Sequence, residues 1–531
     1  MTRLSNRIAA VTDRWPKSIA LLLGLVSATG FAPLHLWPLT LLALAGWMAL
    51  VARSVGGARA LGTGWAFGVG HFALGLNWIA TAFTYQAAMP AWLGWVAVLL
   101  LSLYLAVYPA LAAWGAWLIR KQIASEQAGT TLSFILAFAA LWTLTEWLRS
   151  WVFTGFAWNP LSVIAVPHAA APARWIGTYG TSALVCLAAG ALLFFAAHRR
   201  AAAVLTASLA AIWGAATLAQ MAAATDAAVW HKEQAPRHAI TVVQPNIGQQ
   251  DKWEGDKADA NFAKLARLTK PLSDTPRLIL WPEAAIPDYL ETGYPPIYYD
   301  RSPAEARGRL TALMNPGDMM LLGALKLEFA PDGEVTGARN AAMAVHADGT
   351  LGPRYDKAHL VPYGEYLPMR PLLSAIGLSR LAPGDIDFQP GPGPRTIDLG
   401  RFGQVGLQIC YEIIFSGQVA DRAHRPAFLF NPSNDAWFGG WGPPQHLAQA
   451  RLRAIEEGLP VVRATPTGIS AVIDADGRVL GSIPMHRAGR IDAHVPPAHA
   501  PTLFARHGNI LPVGFALLLL ASAIAFRRRP R

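Results

Sequence analysis

Residues 173–197, ARWIGTYGTSALVCLAAGALLFFAA, and 201–221, AAAVLTASLAAIWGAATLAQM, are two apolar runs parted by His198, Arg199 and Arg200. From residue 222 onward Pro, Asp and Gly become frequent and the apolar runs shrink to strand length, as in Ala239-Ile-Thr-Val-Val. A helix needs about 18 or more apolar residues to cross a bilayer, and a run of strand length cannot do so. The change at 221/222 therefore separates a membrane portion from a water-soluble one.

Working outward, further long apolar runs lie near 17–33, 36–52, 61–83, 90–119, 131–148 and 508–526, which makes eight expected spans, seven before the polar stretch and one after it. Composition agrees. Of 531 residues 53% are hydrophobic and 15% charged, well under the roughly 25% charged of soluble domains. Disorder, a coiled coil and a single soluble globule are poor readings of such a chain. The net charge of +11, from 44 basic and 33 acidic residues, would suggest nucleic acid in a soluble protein. Here many basic residues flank apolar runs, and no nucleic acid is expected.

Basic residues set membrane orientation. Arg3, Arg7, Arg14 and Lys17 precede the first run, Arg53 and Arg59 lie between the second and third, and Arg120 and Lys121 between the fourth and fifth. Arg199 and Arg200 part the sixth and seventh, and Arg527, Arg528, Arg529 and Arg531 follow the last. All fall on one side if every run spans, with chiefly Arg149 and Arg174 on the other. Both termini read as cytoplasmic and 222–507 as extracytoplasmic. The first run also has the basic start and small residues, Ser27-Ala28-Thr29-Gly30, of a cleavable leader. Its removal would leave an odd number of spans and move the C-terminal arginines across, so it is kept as a span. The division is a membrane portion 1–221, a soluble domain 222–507, and a closing span with a basic tail, 508–531.

Within 222–507, strand-like runs begin at Ala239, Arg277, Met319, Asn340, Val405, Ala427 and Leu459. Helical patterns lie around 257–270, 302–315 and 444–457, and Asp348-Gly349 and Asp476-Gly477 are hairpin-type turns. Strands alternating with helices predict a layered α/β or α+β domain. No internal repeat or low-complexity tract is apparent.

Three phrases place reactive groups at the ends of expected strands. Leu280-Trp281-Pro282-Glu283 puts a poorly hydrated carboxylate after an apolar run. Arg354-Tyr355-Asp356-Lys357-Ala358-His359-Leu360-Val361-Pro362-Tyr363-Gly364-Glu365-Tyr366 sets a lysine among aromatics and prolines. Leu407-Gln408-Ile409-Cys410-Tyr411-Glu412 ends a strand on a thiol. Each alone has a structural reading: a packed carboxylate, a surface salt bridge, a small core residue. Together they supply a nucleophile, a base and a cation for a tetrahedral oxyanion. The two cysteines, Cys186 and Cys410, cannot form a disulfide framework. The histidines are scattered, so neither metal nor cofactor is expected.

Trp-Pro-Glu, Tyr-Asp-Lys-x-His-Leu-Val-Pro-Tyr-Gly-Glu-Tyr and Ile-Cys-Tyr-Glu, in that order, resemble the nitrilase (carbon–nitrogen hydrolase) superfamily, whose triad runs Glu, Lys, Cys. The resemblance implies an αββα domain and the catalytic set Glu283, Lys357 and Cys410. With its N-terminal spans and closing span the whole chain is similar to the bacterial apolipoprotein N-acyltransferases. Phe31-Ala-Pro, Glu146-Trp-x-x-Arg149 with Gly155-Phe-Ala-Trp158, Gln244-Pro-Asn-Ile, Asn431-Pro-Ser-Asn-Asp-Ala-Trp-Phe438 and Gln445-His-x-x-x-Ala-Arg451 carry that similarity. Where that family has Ala-Thr-Asn-Thr-Gly, this chain has Pro466 in Ala464-Thr465-Pro466-Thr467-Gly468.

The resemblance implies acyl transfer through a thioester on Cys410. The donor is a phospholipid, typically phosphatidylethanolamine, and the acceptor is the α-amino group of the S-diacylglyceryl-cysteine that begins an apolipoprotein. Glu283 is the implied base, and Lys357 with the backbone N–H of Tyr411 the implied oxyanion donors. The place is the bacterial inner membrane, with the catalytic domain periplasmic. Support is expected from Glu365, Glu412, Tyr411 and Asn340. Trp253, Tyr363, Trp437 and Phe438 lie in loops able to form an apolar path or lid; ordinary packing is the alternative. Glu146 and Arg149, at i and i+3, are close enough to pair at a membrane boundary, where ionisable residues are functional candidates. A membrane-bound amidase would use the same triad, but it would not need seven preceding spans.

Overall fold

The computed structural model describes residues 12–85, 90–121, 131–166, 168–195, 198–234, 238–252, 254–375, 380–381 and 386–527. Trp253, and with it Arg3, Arg7, Arg528, Arg529 and Arg531, lies outside them. The chain forms two compact units, one of residues 1–80, 92–221 and 502–531, the other of 81–91 and 222–501.

The first unit is helical. Leu93–Lys121, Leu132–Arg149, Ala173–Phe195 and Arg199–Asp226 are long and apolar enough to cross a membrane; Gly57–Gly75 with Ile79–Tyr85, bent by 51°, makes a fifth if counted together. Pro16–Ala28, Trp37–Ala52 and Ile510–Phe526 are apolar but shorter. At 1.5 Å per residue, a 13-residue helix such as Pro16–Ala28 covers about 20 Å of a hydrocarbon core about 30 Å thick. The expected single run at 90–119 is two helices, Leu93–Leu105 and Val107–Lys121. Pro109 explains the break, because its ring clashes with the carbonyl four residues back, at Leu105.

Glycines let these helices approach closely. A Cβ on Gly24 would lie 2.0 Å from Phe67 O, and one on Gly70 2.2 Å from Leu21 O. Gly64 and Gly68, one turn apart, face Ala110 and Ala106 in the same way, each with a Cβ-to-Cα distance of 2.7 Å. Without water to drive association, such small-residue contacts are how membrane helices gain packing energy.

Glu146 and Arg149, at the i, i+3 spacing, are both buried. Glu146 Oε1 accepts from Leu161 N at 2.7 Å and Trp142 Nε1 at 3.2 Å. Arg149 Nη1 donates to Phe156 O and Trp158 O, both at 2.9 Å. These two side chains thus bind backbone groups of the irregular stretch that follows the helix.

Among the described residues the second unit holds twelve strands in two sheets. They are β1 Ala239–Gln244, β2 Arg277–Leu280, β3 Met319–Phe329, β4 Val335–His346, β5 Leu351–Asp356, β6 Thr396–Asp398, β7 Gln404–Leu407, β8 Phe428–Pro432, β9 Val461–Ala464, β10 Ser470–Ile473, β11 Val479–Ile483 and β12 Gly489–His494. The sheet orders are β12-β1-β2-β3-β4-β5 and β11-β10-β9-β8-β7-β6. Each has a parallel centre, β1-β2-β3 or β7-β8-β9, with antiparallel strands outside it. The central strands are buried, as parallel strands covered on both faces should be. β1 contacts β9 and β10 across the sheets, and Ala258–Thr269 and Gly442–Glu457 cover β1 and β9 from outside. The layers are thus helix, sheet, sheet, helix. Ile279, Trp281, Met320, Leu322 and Val345 form the core of the first half.

Candidate active site

Lys357 follows directly on β5, and Glu283 and Cys410 come three residues after the ends of β2 and β7. Strand ends are rigid anchors. Beyond β2 the chain is held to β3 by Trp281 N to Leu321 O, Gly323 N to Pro282 O and Ala285 N to Gly323 O, at 2.9–3.1 Å. Gly323 is required there, since a Cβ would sit 2.3 Å from Ala284 N. Beyond β5, Lys357 N donates to Asn340 O at 2.8 Å. Beyond β7, Cys410 takes φ of +52° at the head of the turn Cys410–Ile414. A non-glycine residue held in this region is strained and persists only where its surroundings over-determine it.

Those surroundings converge on a buried polar cluster. Lys357 Nζ lies 2.9 Å from Glu365 Oε1 and 3.5 Å from Glu283 Oε1. Asn340 Nδ2 donates to the same two oxygens, at 2.6 Å to Glu283 and 2.9 Å to Glu365. Glu365 Oε2 accepts from Val361 N at 2.8 Å. Burial works against the charge on Lys357, but Glu365 and then Glu283 outweigh it, and the ammonium is held above its ordinary range. The other oxygen of Glu283, Oε2, is buried without a hydrogen-bond partner among the described residues. That oxygen can accept a proton.

Burial pushes the Cys410 thiol up, Glu283 adds to this, and Lys357 pulls it down. A resting thiol beside a buried carboxylate and a buried ammonium is a proton-transfer pair waiting for a substrate. Glu412 fastens the two halves. Its Oε2 accepts from Ile409 N at 2.7 Å on the thiol side, and its Oε1 from Ala358 N at 2.8 Å, Tyr355 Oη at 2.9 Å and His359 N at 3.1 Å on the lysine side. Burial raises its carboxyl to about 7.

The aromatic candidates divide. Tyr411 is buried, with its ring 5.7 Å from His359 and 5.2 Å from Phe415. Phe438 packs edge-on to His446, centroids 5.8 Å apart. Trp437 meets Tyr85, 5.8 Å away in the 81–91 segment of the same unit. Tyr363 is 49% exposed. Pro466 lines a cavity of about 20 Å³ with Glu283, Lys252, Ile247 and Phe262, room for about one water.

Two features escaped the sequence reading. His446 Nε2 donates to Cys410 O at 3.1 Å, and Asn431 Nδ2 donates to the same oxygen at 3.4 Å. His446 Nδ1 lies 2.8 Å from Asp435 Oδ1, and Arg463 Nη2 donates to Asp435 Oδ2 at 2.9 Å. Burial disfavours the Asp435 charge, but Arg463 and His446 keep its carboxyl low. An arginine within the apolar run Leu459-Pro-Val-Val-Arg463 was the available signal, because a buried charge demands a partner. The second is Lys252, half-buried, whose Nζ donates to Glu283 O at 2.9 Å. Among the described residues no group of three or more His, Cys, Asp or Glu side chains is placed to hold a metal ion.

Comparison with known proteins gives two family matches: the apolipoprotein N-acyltransferase N-terminal domain over residues 23–191, and carbon-nitrogen hydrolase over 239–500. The chain is 34% identical to the apolipoprotein N-acyltransferase of Rhodopseudomonas palustris, over 97% of this chain and 96% of that one. It is 35% identical to that of Brucella melitensis, over 87% and 84%. Among solved structures, Saccharomyces cerevisiae Nit3 of the nitrilase superfamily aligns with 22% identity and a TM-score of 0.35, over 50% of this chain and 91% of that one.

Proposed function

The chain belongs to the apolipoprotein N-acyltransferases, membrane acyltransferases of lipoprotein maturation with a nitrilase-like α/β domain, and from that membership we propose which residues carry the reaction and where. Cys410 is the nucleophile, Glu283 the base, and Lys357 the oxyanion partner. The donor is a phospholipid, typically phosphatidylethanolamine, and the acceptor is the α-amino group of an S-diacylglyceryl-cysteine.

In the first half-reaction Glu283 takes the thiol proton and the thiolate attacks the donor's ester carbonyl. Lys357 and the backbone N–H of Tyr411 hold the oxyanion. Its collapse expels the lysophospholipid alkoxide, which leaves with the proton from Glu283. In the second, the free amine attacks the thioester, Glu283 takes its proton, and the Cys410 thiolate departs and is reprotonated. Two substrates sharing one covalent intermediate imply ping-pong kinetics. Glu365 and Asn340 fix Lys357 and Glu283, and Glu412 holds the thiol turn against the lysine loop. Trp253, Trp437 and Phe438 offer apolar surface for chains leaving the bilayer, and Glu146 and Arg149 hold the 155–161 stretch in shape.

The supporting observation is the convergence of Glu283, Lys357 and Cys410 from three strand ends, with one Glu283 oxygen left open. The division into 1–221, 222–507 and 508–531, eight crossings, cytoplasmic termini and a periplasmic catalytic domain in the inner membrane complete the reading. Purified protein incubated with labelled phospholipid should gain one acyl chain on Cys410 by intact mass, and a diacylglyceryl-cysteinyl peptide should discharge it. Rapid discharge by water alone would favour a membrane-bound amidase, and no acyl mass on Cys410 would overturn the mechanism.

A further inference from the structure

Lys252 and Lys357 both touch Glu283, one at its backbone carbonyl and the other at its carboxylate. Lys252 Nζ donates to the backbone carbonyl of Glu283 at 2.9 Å. With the Asn434 amide turned so that its oxygen faces the nearby donors, that oxygen accepts from Lys252 Nζ at 3.3 Å and from Trp437 Nε1 at 3.1 Å. Asn434 belongs to the other sheet's turn, and its backbone N–H acts on the Cys410 thiol, favouring the thiolate. One ammonium therefore touches the turn that carries the base and the turn that carries an N–H donor to the nucleophile.

We propose that Lys252 is a positioning residue for the acyl-transfer site: its ammonium ties the Glu283 turn to the Asn434 turn and adds a second positive charge, besides that of Lys357, to the surroundings of the Cys410 thiol. The inference rests on Cys410 being the nucleophile, as proposed above. A carbonyl and an amide oxygen suit an ammonium, which has three donors and no acceptor. Glu283 and Cys410 bear on Lys252, and Glu283, Lys357 and Asp435 bear on the thiol. Burial lowers Lys252 to about 8 although Glu283 and Cys410 oppose it, so the ammonium is held at a cost, persists at neutral pH and is little screened by solvent. A surface lysine would be worth far less here, because solvent would screen it.

The test reads thiolate formation directly and does not need turnover. In full-length protein in detergent, the rate of Cys410 alkylation by iodoacetamide is followed against pH by peptide mass. Lys252→Met keeps the apolar stem and removes the charge, while Lys252→Arg keeps the charge. Lys252→Met should move the alkylation midpoint up by about one pH unit and lower kcat at least tenfold, with KM for the peptide acceptor little changed. Lys252→Arg should keep the midpoint near that of the parent. An unchanged midpoint in Lys252→Met, with melting temperature preserved, would overturn the proposal. So would loss of folding in both Lys252→Met and Lys252→Gln, since the residue would then be a structural prop. A parent Cys410 that alkylates normally while Cys410→Ala retains full turnover would refute the nucleophile assignment instead, so the two failures are distinguishable.

Discussion

At the scale of the residue, the central fact is that Cys410 is a thiol pushed up by burial yet flanked by a base and an ammonium. Such a group reacts only when the base takes its proton as the substrate arrives. Cys410→Ala and Cys410→Ser should both abolish turnover in protein that still inserts and folds, because neither offers a competent thiolate; near-normal activity in Cys410→Ala would end the covalent mechanism. Glu283→Gln should block acyl-enzyme formation as well as transfer, since the proton must leave before any thioester forms. Stoichiometric acylation of Glu283→Gln within the dead time of a rapid-quench experiment would take the base role away from Glu283. Glu283 and Cys410 stand out in the sequence because each closes an apolar run, where a polar side chain has no packing reason to be, and Lys357 because it sits among aromatics and prolines. Asp435, His446 and Arg463 do not, because their meaning lies in contacts 11 to 28 residues apart that no local pattern shows. Nor do the backbone contacts of Glu146 and Arg149: helical spacing says which side chains are neighbours, not which groups of the following stretch they will hold.

At the scale of the element, the helix Gly442–Glu457 ends on a carboxylate in the wrong place. Glu457 is buried, and burial first, then the adjacent Glu456, raise its carboxyl from 4.5 to about 7. A carboxyl raised on folding favours the folded state when protonated. That contribution is fully present below 4.5 and is lost as pH rises through about 7. Glu457→Gln should therefore gain stability over the parent by up to about 3 kcal/mol on going from about pH 4 to about pH 8. Melting temperatures across that range should diverge in the variant's favour, and parallel curves would show that the carboxyl is not buried in its charged form. Among the membrane helices, Gly24→Ala should cost on the order of 1–3 kcal/mol, because its Cβ meets the Phe67 carbonyl and a backbone cannot move aside cheaply. The yield of monodisperse protein in detergent checks this, and a parent-like yield and melting temperature would show that the helices part more easily than their contact suggests. The strands expected from apolar runs are all strands, since β1 to β4 and β7 to β9 are buried and must be apolar. β5 and β12 are half-exposed with mixed composition, and β6 has three residues, so neither periodicity nor hydrophobicity could announce them. The break at Ala106 is legible in Pro109, whose ring cannot continue the helix past the Leu105 carbonyl.

At the scale of the whole molecule, orientation follows from where basic side chains are free to stay in water. The two basic residues that count against the expected topology, Arg149 and Arg174, are both buried in the fold, 3% and 7% exposed. Arg149 spends its guanidinium on Phe156 O and Trp158 O. A side chain consumed by the fold is not a loop charge of the kind that holds a loop in the cytoplasm. Arg53, by contrast, is solvent-exposed beside Asp13, and Arg199 and Arg200 are exposed as well. The charge bias is thus cleaner than the sequence count implied, and it supports the proposed placement of both termini in the cytoplasm and of 222–507 outside it. The proposed acceptor requires the same placement, because its amine becomes free only after its own leader is cut on the far side of the membrane. A reporter active only in the periplasm should light up when fused near 230 and stay dark when fused after Arg531. The reverse pattern would put Cys410 in the compartment where no such amine exists, and acyl transfer to an exported lipoprotein would be untenable for this chain.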